Sequence, residues 1–194
     1  MMKKVFLAIL CSITPLLADF NHASVGMNIT TADLEIEGKL PIGSKLRRVA
    51  FQNFFLDGNF INTKHNTLSA LGVHVENNPR GHSNILLGFG IRGLYSKDDT
   101  INKTFVAFPI SMLMQARMYF SNLPKSALSM KFAYAPSPLT FSDAKTYLEY
   151  RIEADMLIID NVDLYVGFRN IDTNYKVQDI RFNSKAYAGA RFVF

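Results

Sequence analysis

The sequence predicts an all-β protein, a transmembrane antiparallel β-barrel of about ten strands with eight as the alternative, and three observations lead there. Long stretches alternate apolar and polar residues with a period of two, as strands with one apolar and one wet face do. Beyond residue 18 no uninterrupted apolar run reaches the ~20 residues that a membrane-crossing helix needs. A chain integral to a membrane without such a helix must satisfy its backbone as a closed barrel. The mean hydropathy of +0.07 suits a barrel that dilutes lipid-facing residues with polar ones at alternate positions.

The chain ends Tyr187-Ala188-Gly189-Ala190-Arg191-Phe192-Val193-Phe194, which reads G-x-x-F-x-F. Alternation puts Ala188, Ala190, Phe192 and Phe194 on one face and Tyr187, Gly189 and Arg191 on the other. The pattern resembles the C-terminal assembly signal of bacterial outer-membrane barrels, with Gly189, Phe192 and Phe194 at the positions that carry it. An amphipathic edge strand ending by chance in phenylalanine is the plainer alternative.

At the other end, Lys3 and Lys4 precede an apolar run from Val5 to Ala18 that is too short to span a bilayer. It reads as a secretory signal peptide, residues 1–18, cut after Ala18 to leave one barrel domain over residues 19–194. Cys11 follows Leu10 where a lipoprotein signal needs a small residue, so lipidation is not expected. Cys11 is the chain's one cysteine, and its removal leaves no disulfide or thiol chemistry. Loss of Lys3 and Lys4 takes the basic count from 21 to 19 against 16 acidic residues, and +3 is too small a charge to argue for nucleic acid.

In chain order, residues 23–29 form a first short strand, and Leu34 and Ile36 alternate with Glu35 and Glu37 before a turn at Pro41 to Ser44. A mixed aromatic stretch over 49–56 leads to a polar loop, Asp57 to Asn66. Leu71, Val73 and Val75 oppose Gly72, His74 and Glu76, and Asn77 to Gly81 turns the chain. Ile85, Leu87, Phe89 and Ile91 oppose Gly88, Gly90 and Arg92. After a loop at 96–103 comes the longest alternation, Val106 to Phe120, which Pro109 should bend. Residues 122–125 turn into a strand over 128–134, and 136–143 is a loop. Strict alternation over 147–156 favours a strand above an amphipathic helix. Asp160-Asn161 turns into the strand 164–169, and a polar loop over 173–180 precedes the terminal strand. Ten strands put both chain ends on the periplasmic side, which an even number requires. The loops near 57–66, 96–103, 136–143 and 173–181 would then be outer contact surfaces.

Tyr134-Ala135-Pro136, Leu139 to Ala144, Tyr147 to Arg151 and Val166 to Asp172, followed by the closing Tyr187 to Phe194, resemble the YfaZ family of outer-membrane proteins. The resemblance covers the C-terminal half and, by strand pattern alone, the N-terminal half. It implies an outer-membrane barrel and supplies no catalytic residues.

The densest polar set is Glu149, Arg151, Glu153 and Asp155 on one strand face, with Tyr165 and Arg169 on the next. A three-residue hairpin loop at 160–162 would set Glu153 opposite Arg169. Arg92, Arg117, Lys131 and Arg191 also point inward by alternation. The plain reading is a lumenal salt-bridge network filling a narrow, largely closed barrel with a structural or interaction role at the cell envelope. The sharper reading makes the same groups the lining of a narrow channel for small polar solutes. A soluble periplasmic barrel binding a small apolar ligand is the third, and requires the apolar faces to point inward. Enzyme chemistry is not expected: His65 near Asp57 is the one candidate pair and no nucleophile motif surrounds it. His22, His74 and His82 are too dispersed for a metal site, and no cofactor is expected. The expected partners are outer-membrane lipid and the β-barrel assembly machinery, and the expected state is a monomer.

Overall fold

The computed structural model describes residues 23–42, 54–99, 101–119, 121, 124–175 and 179–194, the last group without the side chains of 179–181. The expected signal peptide and part of the turns near 41–45 and 122–125 lie outside them. Twelve strand segments appear in the order β1 (Ser24–Ile29), β2 (Leu34–Pro41), β3 (Phe54–Asn62), β4 (Asn66–Asn77), β5 (Ile85–Asp98), β6 (Lys103–Ala107), β7 (Ile110–Met118), β8 (Ser126–Ala135), β9 (Thr140–Ser142), β10 (Ala144–Ile159), β11 (Val162–Tyr175) and β12 (Asp179–Val193). They close into a ten-strand antiparallel barrel, because β6 continues β7 along one side of β5 and β9 pairs with β6.

The break between β6 and β7 falls at Phe108-Pro109, where proline has no N–H to give the ladder. Arg92 N instead donates to Pro109 O at 3.1 Å and Phe108 N to Leu139 O at 2.8 Å, so the bend costs few hydrogen bonds. Closure is made by β1 and β12, from Ser24↔Val193 to Ile29↔Ala188, with Phe194 N donating to Ala23 O at 2.8 Å. No sheet edge remains among these strands, which removes the template for edge pairing.

Strands run further than the sequence pattern suggests. Residues 57–62 belong to β3 and Asn66 to β4, so the expected 57–66 loop is a turn of residues 63–65. Thr63 Oγ1 builds that turn by accepting the backbone N–H of Asn66 at 2.8 Å. β5 reaches Asp98, a 3-10 turn and β9 occupy most of 136–143, and β11 and β12 leave only 176–178 undescribed in the expected 173–181 loop. Polar side chains in these stretches suggested loops, but ladder pairing tolerates polar residues on a face that meets water or a wet lumen.

Two glycines show how tight closure is. A Cβ on Gly189 would lie 2.5 Å from Met27 O and 2.6 Å from Tyr165 Cζ, whereas one on Gly38 would meet nothing nearer than 3.9 Å. Gly189→Ala is therefore expected to destabilise the barrel by about 1–3 kcal/mol, and Gly38→Ala to stay within ~0.5 kcal/mol of the parent. Urea unfolding of the refolded protein in micelles measures both, and equal midpoints would show that the β1–β12 seam is not tightly packed.

Candidate functional site: a polar lumen bridged across its bore

The pleat sends alternate residues of every strand inward, and those of the half nearer the chain termini are charged. Registry lines up Lys131, Arg151 and Arg169 on one rung of β8, β10 and β11, followed by Lys185 on β12. Like charges directly opposite one another repel, so this row needs anions. They come from across the bore. Glu35, on β2 and only 1% exposed, takes Arg151 Nη1 at 2.8 Å and Arg169 Nη1, and also accepts from Asn28 at 2.7 Å and Asn59 at 2.7 Å. Asp33 takes Lys185 at 3.2 Å, with Arg169 Nη2 at 3.8 Å. Thr30 Oγ1 accepts the backbone N–H of Asp33 at 2.9 Å, so the β1–β2 turn fixes that carboxylate.

Two further groups flank this bridge. Arg191 donates to Glu37 at 2.8 Å and Glu153 at 2.6 Å while its guanidinium lies 4.6 Å from the Tyr165 ring centre. Arg92 donates to Asn59 at 2.6 Å, with Glu149 at 3.4 Å and Asp57 at 3.7 Å, and Glu149 also receives Arg151 Nε at 2.5 Å and the Tyr147 hydroxyl at 2.7 Å. His74 sits between Asp57 at 2.7 Å and Glu76 at 2.9 Å, and Lys39 donates to Glu76 at 2.7 Å. Toward the far end the interior turns apolar. Ile61, Leu68, Leu94, Phe105, Tyr147 and Ile171 pack there as one cluster.

Of the residues singled out from sequence, Arg92, Glu149, Arg151, Glu153, Arg169 and Arg191 meet in these groups. The Tyr165 hydroxyl donates to Asn28. Lys131 is set apart, with Glu37 at 3.9 Å, and Arg117 is exposed at the terminal rim without an ion pair among the described residues. Asp155 is half-buried and its Oδ2 has no hydrogen-bond partner. In the terminal segment Phe192 faces outward, 46% exposed, and Gly189 packs at the seam.

Two expectations need correction. Glu153 stands opposite Gly167 and Arg169 opposite Arg151, because the hairpin is a two-residue turn, Asp160-Asn161, followed by a bulge between Leu157 and Ile159. Asp57 pairs with His74 inside the barrel and not with His65, which lies in the exposed 63–65 turn. The sequence reading also passed over Asp33, Glu35, Glu37, Lys39 and Asn59. For Glu35 and Glu37 the signal was present, since both alternate with the outward Leu34 and Ile36.

A 380 Å³ cavity runs beside the bridge to the terminal end, where Ser24, Arg117, Asp163 and Val193 line it. Its far wall is formed by Ser111, Gln115, Ser129 and Lys131 of β7 and β8.

Fold and interior define a ten-strand antiparallel barrel with a charged core at one end and an apolar core at the other. Among solved structures the chain is similar to the KdgM porin, with a TM-score of 0.42 and 8% identity over 89% of this chain and 98% of that one. No protein-family model matches the chain, and no curated protein matches it.

Removing one partner of a buried ion pair leaves the other charge uncompensated, typically at 3–5 kcal/mol. Glu35→Gln, which removes the carboxylate shared by two guanidiniums, is expected to cost about that much. Replacing Glu35, Arg151 and Arg169 together by Leu, Met and Met should recover most of it. The urea midpoints of the two variants decide the point, and a Glu35→Gln protein as stable as the parent would refute the bridge.

Proposed function

We propose that this protein is an integral β-barrel of the bacterial outer membrane, inserted as a monomer by the β-barrel assembly machinery, non-enzymatic, with a largely closed lumen and a structural or interaction role at the envelope. One observation carries the reading: the polarity of both faces inverts partway along the strands. On β4 the outward Val73 and Leu71, 44% and 61% exposed, give way to Ser69 and Thr67, while the inward Glu76 and His74 give way to Ala70 and Leu68. On β11 outward Leu164, Val166 and Phe168 give way to Asp172 and Asn174, and inward Arg169 to Ile171.

An outward apolar belt over a charged interior suits hydrocarbon outside; a polar exterior over an apolar interior suits water outside. At the change, outward Phe60, Ser69, Tyr95, Val106 and Phe141 share one rung of β3, β4, β5, β6 and β9. Three aromatics on that rung fit the girdle found where such barrels leave the hydrocarbon. The secretory-type N-terminus and the G-x-x-F-x-F ending support the same compartment, and the quoted C-terminal segments support kinship with the YfaZ family. A soluble periplasmic barrel would leave the belt of Val166, Ile152 and Met130 in water, which counts against it.

The cavity beside the bridge favours a second reading, a narrow channel for small polar solutes. The apolar cluster at the far end counts against it, because a dry constriction blocks ions. Fractionation with detergent extraction, combined with heat-modifiable gel mobility, tests the membrane reading. The expected result is recovery in the outer-membrane fraction with a folded band that shifts on boiling, and recovery in soluble periplasm would overturn it. In planar bilayers the wild-type protein is expected to be silent. Discrete conductance altered by neutralising Arg169 or Glu153 would establish the channel instead.

A further inference from the structure

We infer that the cavity at the terminal end is a binding vestibule for a small oxyanion, a carboxylate or a phosphate, held by Lys131 and steered by Arg117. The 380 Å³ volume falls within the range of small-molecule pockets. The inference follows from hydrogen-bond accounting along its walls. Its interior carboxylates are already occupied: Glu37 by Arg191, Asp57 by His74, Glu76 by Lys39 and His74, Glu149 by Arg151 and Tyr147, and Glu153 by Arg191 and Tyr187.

The donors are not exhausted. Arg151 Nη2 and Arg92 Nε lack acceptors but are closed off from the cavity, so the lining cations without a hydrogen-bonded carboxylate are Lys131 and Arg117. Lys131 has 41% of its side chain exposed to the cavity side of β8, with its carboxylate neighbour Glu37 at 3.9 Å. Arg117 stands on the same wall at the rim. The remaining lining carboxylate, Asp163, lies nearer the mouth: its rung meets β10 at Leu157, and that of Lys131 meets it at Arg151. Two lining cations without a hydrogen-bonded carboxylate, Lys131 and Arg117, against one lining carboxylate without a hydrogen-bonded cation, Asp163, select an anion, and charge-assisted hydrogen bonds to oxygen are the strong kind. Ser111, Gln115 and Ser129 supply neutral groups to the same wall. The apolar cluster beyond means that a solute entering here is held and not passed.

This goes beyond the envelope role and does not depend on it. Full-length protein refolded in micelles, with heat-modifiable mobility confirmed for every variant, is titrated calorimetrically with inorganic phosphate, acetate and choline. Saturable binding of phosphate or acetate but not choline is expected, weakened about tenfold by Lys131→Gln. Arg117→Gln should flatten the salt dependence of binding more than it lowers affinity. Lys145→Gln, on an exposed position far from the cavity, should change nothing. As an independent readout on the wild-type chain, the bound anion should protect Lys131 and not Lys145 from acetic anhydride. Absence of binding for both anions at millimolar concentration, binding indifferent to Lys131→Gln, or unprotected Lys131 would each overturn the vestibule. A membrane-inserted, heat-modifiable barrel that binds no anion would sink this inference alone. A soluble protein that binds one would sink only the membrane reading.

Discussion

The pairing of Glu35 with Arg151 and Arg169 is the constraint on which the rest of the interior depends. Registry puts the two arginines side by side on β10 and β11, where repulsion alone would open the wall. Glu35 approaches them from β2, three strands round from β11 in the closed order. The contact therefore crosses the bore instead of running along a wall. Its consequence is geometric as well as electrostatic. Long side chains meeting in the middle occupy the bore at that level, with the 380 Å³ cavity beside them. Asn28, Asn59 and Asn183 supply further hydrogen bonds to these ions, and Arg151 Nη2 is the buried donor among them left without an acceptor.

On the proposed membrane reading, the axial change of polarity is that of one closed wall meeting two solvents. In one half the ladder is surrounded by apolar residues, so the charges that specify registry have to lie inside. In the other half the exterior is polar, and the interior can pack by apolar burial around Phe105 and Tyr147, with Tyr175 edge-on to Phe105 at 5.8 Å between ring centres. The longer strands β4, β5 and β11 thus read as two strands of opposite sidedness joined without a change in pleat. Single residues mark the joint: Gly93 follows Arg92 on β5, and Pro109 interrupts the neighbouring stave at the same level.

Much of this was legible in the sequence, for a physical reason. Alternation survives wherever one face meets a uniform medium, so the segments around Phe89, Met112, Met130, Ile152 and Val166 announce themselves, and Pro109 announces its bend. Legibility fails where the polarity of the outer face changes. Asp57, Asn59 and Asn62 look like a loop because a strand that passes from a charged lumen to a polar exterior has few apolar residues on either face. The Glu153–Arg169 pairing failed for a different reason. Hairpin registry depends on one bulged residue near Ile158, and a one-residue change moves every cross-strand partner. Glu35 was missed as the central acceptor because its importance lies in contacts to residues 116 and 134 positions away, which no local pattern encodes.

Stability and passage make opposed demands on this interior. The cations on β8, β10, β11 and β12 must be neutralised, and the partners that neutralise Arg151, Arg169 and Lys185 reach in from β2 and the β1–β2 turn, which fills the bore at that level. Lys131 stands at the end of that row on the side facing β7, where the wall is made of Ser111, Gln115 and Ser129 and the acidic group it meets, Glu37 of β2, is held only at 3.9 Å. Space persists where the cross-bore pairing runs out, so the cavity and the incompletely paired lysine are two results of one arrangement. Because that space ends against the bridge and the apolar cluster, its access is from the terminal end. Opening a continuous path would require parting Glu35 from two guanidiniums and also displacing Phe105 and its neighbours, two packing units joined at Tyr147, which packs against Phe105 and donates to Glu149. The interior thereby holds its two walls together first and leaves a cavity beside the join.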